Sequence, residues 1–502
     1  MLAQVHSFVL RGIEPLPCEV EVDVAEDGLP KTTVVGLPDA AVKESVERVR
    51  SAIVNSGYPF PMARLLVNLA PADIKKEGPV YDLPIAVGLL RAAQVLRPGA
   101  GKGLVFAGEL ALDGRLRPVR GAINLSLLAR RRGAPGVVVP TENAEEAAAV
   151  EGVEVYPADS LASVVGFLNG AHEIEATRPV EVDDDLAAAA IDFAEVRGQE
   201  AVKRALVVAA AGGHNIAMIG PAGTGKSMCA RALPGILPPL SRDEALEVTR
   251  IYSAVGQVPP GRSLITTRPF RGPHHTASAV AVIGGGTIPR PGEVSLAHHG
   301  VLFLDETPEF PRAVLETLRQ PLEDGEVTIA RAHGSVRFPA RFMLVAAMNP
   351  TPKGSASPDE AGQRAMDKYL GKLSGPLIDR MDLHVEVPAV DYDRLAGKRT
   401  GPGTAELRAQ VIAARAVQTE RNGGPLRTNR VLRGSELDEL AALDGAGRAL
   451  LKEAMTGLGL SARAYDKVRR VARTIADLEA SETVVAHHVA EAVQYRLLDR
   501  RG

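Results

Sequence analysis

The chain is short of everything that would tie it to an oxidising compartment or a lipid bilayer. Its 502 residues include two cysteines, Cys18 and Cys229, and no tryptophan. Two thiols cannot build a disulfide framework or a four-cysteine zinc site within one chain, which fits a reducing cytoplasm. No apolar run approaches the roughly 18 residues of a membrane span. Met1–Leu10 contains His6 and has neither a long apolar core nor a cleavage signal. We therefore expect a cytoplasmic location, without export or membrane insertion. Aromatics make up 4% of the residues, too few for base stacking to dominate a nucleic-acid contact. The formal net charge is −3, so no global basic field announces nucleic acid. A role on DNA would need a local basic surface such as a ring channel. What is present is ordinary globular material: 45% hydrophobic residues, and length for about two to four domains.

The most informative stretch is Ile216–Ser227. An apolar run, Ile216-Ala217-Met218-Ile219, leads into Gly220-Pro221-Ala222-Gly223-Thr224-Gly225-Lys226-Ser227, and a helix-compatible run follows. The loop fits G-x-x-x-x-G-K-[ST]. Glycines let the backbone curl so that several N–H groups face one phosphate chain, and the helix N-terminus adds positive potential. Lys226 can then reach the β- and γ-phosphates of ATP, and the Ser227 hydroxyl can bind Mg²⁺.

A second signature lies downstream. Val301-Leu302-Phe303-Leu304 reads as a buried strand ending in Asp305-Glu306. Asp305 is suited to hold Mg²⁺, directly or through water, and Glu306 to polarise an attacking water. Phe342–Met348 is another buried strand, and Asn349 at its tip can sense the γ-phosphate or simply cap the strand. Between them, Leu315–Leu322 reads as one helix. Val327–Arg331 and Ser335–Phe338 read as hairpin arms with His333-Gly334 at the turn, exposing Arg331, His333 and Arg337.

Residues 1–170 show a strand–helix–strand rhythm and read as an α/β or α+β domain. Cys18–Val24 alternates like a strand, with Thr32–Val35 as its expected partner; Val42, Val46, Val49 and Ile53 share a helical face. Residues 171–191 form a linker whose Asp183-Asp184-Asp185 run reads as solvated charge. The nucleotide signatures fall within 192–390, a second linker spans 391–404, and 405–502 is helical by pattern. Lys467 and Arg470 lie on a basic stripe that reads as a solvated face. The pairs His274-His275 and His298-His299 lack carboxylate or thiolate spacing for a metal and read as structural or partner-facing.

Two pieces of the N-terminal block resemble the proteolytic domain of Lon-type proteases (the ribosomal S5 domain 2-like fold). Lys76-Glu77-Gly78-Pro79-Val80 is similar to the segment bearing the nucleophilic serine there. Leu116–Gly121, with the helix and Val137–Asn143 after it, is similar to the segment bearing the catalytic lysine. Val80 stands where the serine would be, and the helix has no lysine. Without a nucleophile beside an amine, the resemblance implies the fold without peptidase chemistry.

The phosphate loop, Asp305-Glu306, Asn349 and Ser374-Gly375-Pro376-Leu377-Ile378-Asp379-Arg380 resemble an AAA+ ATPase of the magnesium-chelatase-like type. Arg271–Thr276, Gly284–Gly286, Pro291–His298 and Ser461–Tyr465 narrow the resemblance to the YifB/ComM group, over nearly the whole chain. It implies a Lon-like N-domain, an AAA+ P-loop NTPase core with an insertion in its second helix, and an all-α C-terminal lid. It also implies a hexameric ATP-driven helicase that promotes branch migration of DNA during natural transformation. By position, Arg380 resembles the arginine finger offered to a neighbouring subunit, or else forms a surface pair with flanking aspartates. Arg463 resembles sensor 2. Where the family usually carries a cysteine-rich insert, this chain reads Asn349-Pro350-Thr351-Pro352-Lys353-Gly354-Ser355, so we expect no zinc there. Two rival functions stay open. One is a metal-insertion ATPase, opposed by the N-terminal block, which chelatase motor subunits are expected to lack. The other is a protein-remodelling unfoldase.

Overall fold

A computed structural model describes residues 1–25, 30–178, 191–331, 334–351, 364, 369, 371–390, 401–425, 427–496 and 498. The chain forms two compact units. The first comprises Met1–Asp185, Ser241–Thr266 and Ile288–Arg290; the second comprises Leu186–Leu240, Thr267–Thr287 and Pro291–Gly502. His333, the acidic run 183–185 and the insert from Pro352 onward lie outside the described residues.

The first unit is built on a seven-stranded mixed sheet. Its strands are β1 (Leu2–Arg11), β2 (Glu14–Ala25), β3 (Lys31–Val35), β4 (Arg64–Ala70), β5 (Val105–Phe106), β6 (Gly136–Pro140) and β7 (Glu154–Ala158), in the order β3-β4-β2-β1-β5-β6-β7. β1 and β2 form an antiparallel hairpin, with Ser7 opposite Cys18. The expected pairing of Thr32–Val35 with Cys18–Val24 is not found. Both edges of β2 are taken, by β1 and β4, and β3 instead runs parallel to β4 with Val34 opposite Val67. Val20, Val22, Val67 and Leu69 of the sheet meet Val42, Val49 and Ile53 of the Ala40–Asn55 helix and Leu83, Ile85 and Leu89 of the Asp82–Ala92 helix. Asp39 caps the former helix by accepting from the Val42 N–H at 2.7 Å.

The Arg242–Val255 helix also belongs to this unit. It starts on a capping box, Ser241 with Glu244, which satisfies two orphan N–H groups at once. Asn124 and Arg250 exchange two hydrogen bonds at 3.2 Å, and Ser253 donates to the buried Glu146 carboxylate. Burial pushes the Glu146 carboxyl up, and Ser253 and the Ile123 N–H pull the other way.

The second unit holds a five-stranded sheet: β8 (Ile216–Ile219), β9 (Phe270–Arg271), β10 (Val301–Leu304), β13 (Met343–Met348) and β14 (Leu383–Glu386), ordered β9-β10-β13-β8-β14. Every pairing in it is parallel. β8, β10 and β13 are buried along their whole length, as parallel strands covered on both faces must be. Between them, β11 (Glu326–Arg331) and β12 (Gly334–Pro339) form a separate hairpin with Val327, Ile329, Val336 and Phe338 buried. The single helix expected over Leu315–Leu322 is two short ones, Arg312–Thr317 and Arg319–Asp324. Pro321 offers no N–H to the Thr317 carbonyl, so the first helix cannot run on through it.

Four long helices close the chain: Thr404–Asn422, Gly445–Gly457, Ala462–Leu478 and Ala486–Gln494. Leu407, Val411, Val468, Val471, Ile475 and Val489 join the same core as Leu206, Ile216 and Val345. The solvated reading of Lys467 and Arg470 is overturned: Lys467 is 7% exposed, and the Arg470 side chain is 16% exposed. Periodicity placed them on one stripe, but backbone carbonyls lie against that stripe. Arg470 Nε donates to the Leu432 carbonyl at 2.7 Å.

Candidate active site

Strand order assembles the site. β13 lies between β10 and β8, so the ends of three parallel strands bring Asp305, Asn349 and Gly220 to one sheet edge. Ligands of open parallel sheets bind at that carboxyl edge. Gly220 leaves β8 so close to the next strand's end that a Cβ there would lie 2.1 Å from the Val387 carbonyl oxygen. Gly223 and Gly225 have φ of 78° and 88°, the left-handed region in which glycine carries no Cβ penalty. The loop then opens directly into the Lys226–Ala232 helix.

Within this loop the side chains already have partners. Lys226 Nζ donates to the carbonyls of Gly220 (2.8 Å) and Pro221 (2.7 Å) and to Asn349 Oδ1 (3.1 Å). Burial pulls its ammonium pKa down, against the attraction of Asp305 and Glu306. Ser227 Oγ donates to Asp305 Oδ2 at 2.7 Å. Thr224 Oγ1 donates to the Pro221 carbonyl at 3.0 Å. Gln199 braces the loop from behind, donating to the carbonyls of Thr224 (3.1 Å) and Pro388 (2.8 Å). Two bonded pairs, Lys226 with Asn349 and Ser227 with Asp305, thus stand at the phosphate loop.

Asp305 and Glu306 are turned to different partners. Glu306 has φ 49° and ψ 45°, a left-handed conformation unusual for a residue with a Cβ. Thr307, fully buried, fixes the turn by donating to the carbonyls of Leu304 (2.9 Å) and Ala347 (3.2 Å). The Glu306 carboxylate faces His275, with Nδ1 at 3.5 Å from Oε2. His275 in turn lies against His274 (ring centroids 4.1 Å) and edge-on to Phe310 (6.5 Å). From sequence alone His275 reads as structural or partner-facing. The signal that could have found it is position: His274-His275 follow β9, which lies beside the strand carrying Asp305. His298 is buried, and its Nδ1 accepts from the Arg341 N–H at 3.0 Å.

Arg380 and Arg463 bond elsewhere. Arg380 donates to Glu323 at 2.5 Å and to the Pro376 carbonyl at 3.3 Å. Arg463 pairs with Asp379, the residue beside Arg380. Neither of these bonds is to an atom of the phosphate loop, and the two arginines instead share one neighbourhood. On the hairpin, Arg331 and Arg337 are both exposed. Arg331 Nε donates to the Gly286 carbonyl at 3.2 Å, and Arg337 lies 3.7 Å from Glu326.

Three family models match the chain. One described as magnesium chelatase, subunit ChlI, matches residues 192–395; one described as subunit ChlI of Mg-chelatase matches 20–143; and the corresponding C-terminal model matches 401–496. The YifB protein of Salmonella typhimurium is 44% identical over 99% of this chain and 98% of its own length. The competence protein ComM of Haemophilus influenzae is 42% identical over the same shares. The magnesium-chelatase 38 kDa subunit of Rhodobacter capsulatus is 30% identical over 44% of this chain and 60% of its own length. Because residues 20–143 themselves match a chelatase-subunit model, that block does not separate the chain from chelatases. What separates them is extent: the chelatase subunit aligns over less than half of the chain.

Proposed function

The chain belongs to the YifB/ComM family of magnesium-chelatase-like proteins, and from that premise we propose that it is an ATP-hydrolysing ring motor acting on DNA. The carrying observation is the alignment at one sheet edge of Lys226, the Ser227–Asp305 pair and Asn349. Lys226 binds the β- and γ-phosphates and in doing so exchanges its loop carbonyls for them. Ser227 and Asp305, paired through one oxygen each, suit a hard divalent cation that prefers oxygen donors. They would hold Mg²⁺, which supplies charge neutralisation at the phosphates. Glu306 accepts the proton of the attacking water, and Asn349 orients that water. Arg380 completes the site of the neighbouring subunit, so hydrolysis requires a homo-oligomer, most simply a hexamer. Arg463 acts as the sensor of the helical lid.

The DNA reading rests on the ComM relative, whose name ties it to competence, and on the exposed Arg331 and Arg337. On this reading the ring drives branch migration of incoming DNA in the cytoplasm. Cationic side chains on the hairpin meet backbone phosphates without reading sequence. We propose the first unit to be a Lon-like domain that has no peptidase chemistry. A cleft of about 460 Å³ runs past Gly78, Val80 and Arg120, and no serine, threonine or cysteine is among the residues that line it. The test is ATP turnover without polymer, with single-stranded DNA, with a four-way junction and with unfolded protein. Stimulation by the junction is expected. Stimulation by unfolded protein alone, with no DNA binding at low salt, would replace this reading with the unfoldase one.

A further inference from the structure

Four consecutive backbone carbonyls around Arg380 each accept from a buried side chain. Lys467 Nζ donates to the Asp379 carbonyl and, at 2.7 Å, to that of Met381. Asn215 Nδ2 donates to the Arg380 carbonyl at 2.8 Å. Arg496 donates to the carbonyls of Met381 and Asp382, both at 3.0 Å. Asn215, Lys467 and Arg496 are 1%, 7% and 2% exposed. Lys467 also lies 3.9 Å from the buried Asp382 carboxylate, whose pKa is held down by Lys467 and His214 against the burial that raises it.

Burying a lysine and an arginine is costly, and an apolar side chain of the same volume would fill the space at less cost. Here both cations converge on one short loop. That loop carries Arg380, whose side chain reaches outward to Glu323 and remains partly exposed. The two cations come from different parts of the helical region: Lys467 from the Ala462–Leu478 helix, Arg496 from beyond the last helix. One turn before Lys467, Arg463 of the same helix pairs with Asp379. The loop is therefore fastened to the helical region on one side and to the sheet, through Asn215, on the other.

We propose that Lys467 and Arg496 are positioning residues that hold the Asp379–Asp382 backbone and thereby aim Arg380 at the nucleotide of the next subunit. The inference rests on the reading of Arg380 as a finger acting in trans. A rigid helix bonded to this loop carries any displacement of the helical region directly to Arg380. The nucleotide state of one subunit, felt by its lid, then sets how well it completes its neighbour's site.

The test uses full-length oligomeric protein with Lys467→Gln, Lys467→Arg, Arg380→Ala and the double variant K467Q/R380A. K467Q should lower kcat for ATP at least about tenfold with KM changed less than about twofold, the pattern of an interaction made only in the transition state. K467R should recover most of the rate, and the double variant should be no slower than R380A. Subunit mixing provides the sharper readout. K467Q subunits keep an intact phosphate loop and Lys226→Ala subunits keep an intact finger, so mixed rings should regain activity that neither has alone. The proposal is overturned if K467Q turns over like the unmodified protein, if only KM rises, or if K467Q fails to complement K226A while R380A succeeds. If R380A itself keeps full turnover, the finger reading fails, and that outcome is separable from the others. Should K467Q not assemble, Arg496→Lys, which keeps the charge but loses the two-carbonyl reach, serves instead, and an unchanged kcat would equally overturn the proposal.

Discussion

Asn215→Ala is the substitution whose cost can best be worked from the geometry. Asn215 accepts from the Leu344 N–H at 2.9 Å and donates to the Arg380 carbonyl at 2.8 Å, tying β13 to the Asp379–Asp382 loop. Alanine removes both bonds and brings in no water, because the site is 1% exposed. A buried N–H and a buried carbonyl are left unpaired, each costing about 1–3 kcal/mol. The expected loss is about 2–6 kcal/mol, a large fraction of the ~5–15 kcal/mol that stabilises a domain. Asn215→Asp keeps the acceptor for Leu344 but sets a second anionic oxygen against the Arg380 carbonyl, with Asp382 Oδ2 already 3.0 Å from the residue 215 amide nitrogen. It should therefore be at least as damaging as alanine. The assay is amide hydrogen exchange at Leu344 and its neighbours, together with the midpoint of the urea transition that unfolds the second unit. A loss below about 0.5 kcal/mol for N215A, the level of an ordinary surface change, would refute the assignment of Asn215 as the tie between sheet and loop.

Further outcomes follow from single contacts. Burial lowers the His214 pKa to about 4. The folded state keeps this ring neutral while the unfolded chain protonates near 6.5, so its contribution is complete above pH 6.5 and is lost as pH falls toward 4. The loss amounts to about 3 kcal/mol, and His214→Gln should flatten that limb of a pH–stability curve. His275→Ala frees the Glu306 carboxylate. A contact between half-exposed groups is worth under about 1 kcal/mol, so basal ATP turnover should rise no more than about fivefold, and a fall would show that His275 assists turnover instead. Ser227→Ala should raise the Mg²⁺ concentration needed for half-maximal turnover while leaving magnesium-free nucleotide binding unchanged; equal losses in both would place Ser227 outside the metal site. Arg331→Ala with Arg337→Ala should lower the slope of log affinity for DNA against log salt by up to about two, and an unchanged slope would move the DNA contact off this hairpin.

The parts of the second unit that form the candidate site are legible because they combine continuous apolar runs with a loop of restricted residue types. Ile216–Ile219, Val301–Leu304 and Met343–Met348 are buried along their whole length, and parallel strands of this kind announce themselves by composition. Pairing was less legible. β1 went unrecognised because it alternates Leu2, Gln4 and His6 with Ala3, Val5 and Ser7, so a polar Ser7 sits on the inward face. Without β1, the partner of β2 was misassigned to β3. The Arg242–Val255 helix is missing from the pattern of apolar runs, although its start carries a readable signal, Ser241 followed three residues later by Glu244. Lys467 reads as solvated from sequence because a helical stripe shows which side chains share a face, not what lies against it. Only the fold brings the carbonyls of Asp379 and Met381 there. The meeting of His275 with Glu306 was hidden for a similar reason, since the two lie on neighbouring strands' ends far apart in the chain.

ATP hydrolysis at this sheet edge is proposed to move DNA strands. Its most direct test is strand exchange at a labelled, mobile four-way junction by the full-length protein with ATP, with a non-hydrolysable analogue, and with Glu306→Gln. Junction processing is expected with ATP alone, and binding without processing in the other two. Equal processing by E306Q, or ATP turnover that proceeds while the junction remains intact, would contradict it.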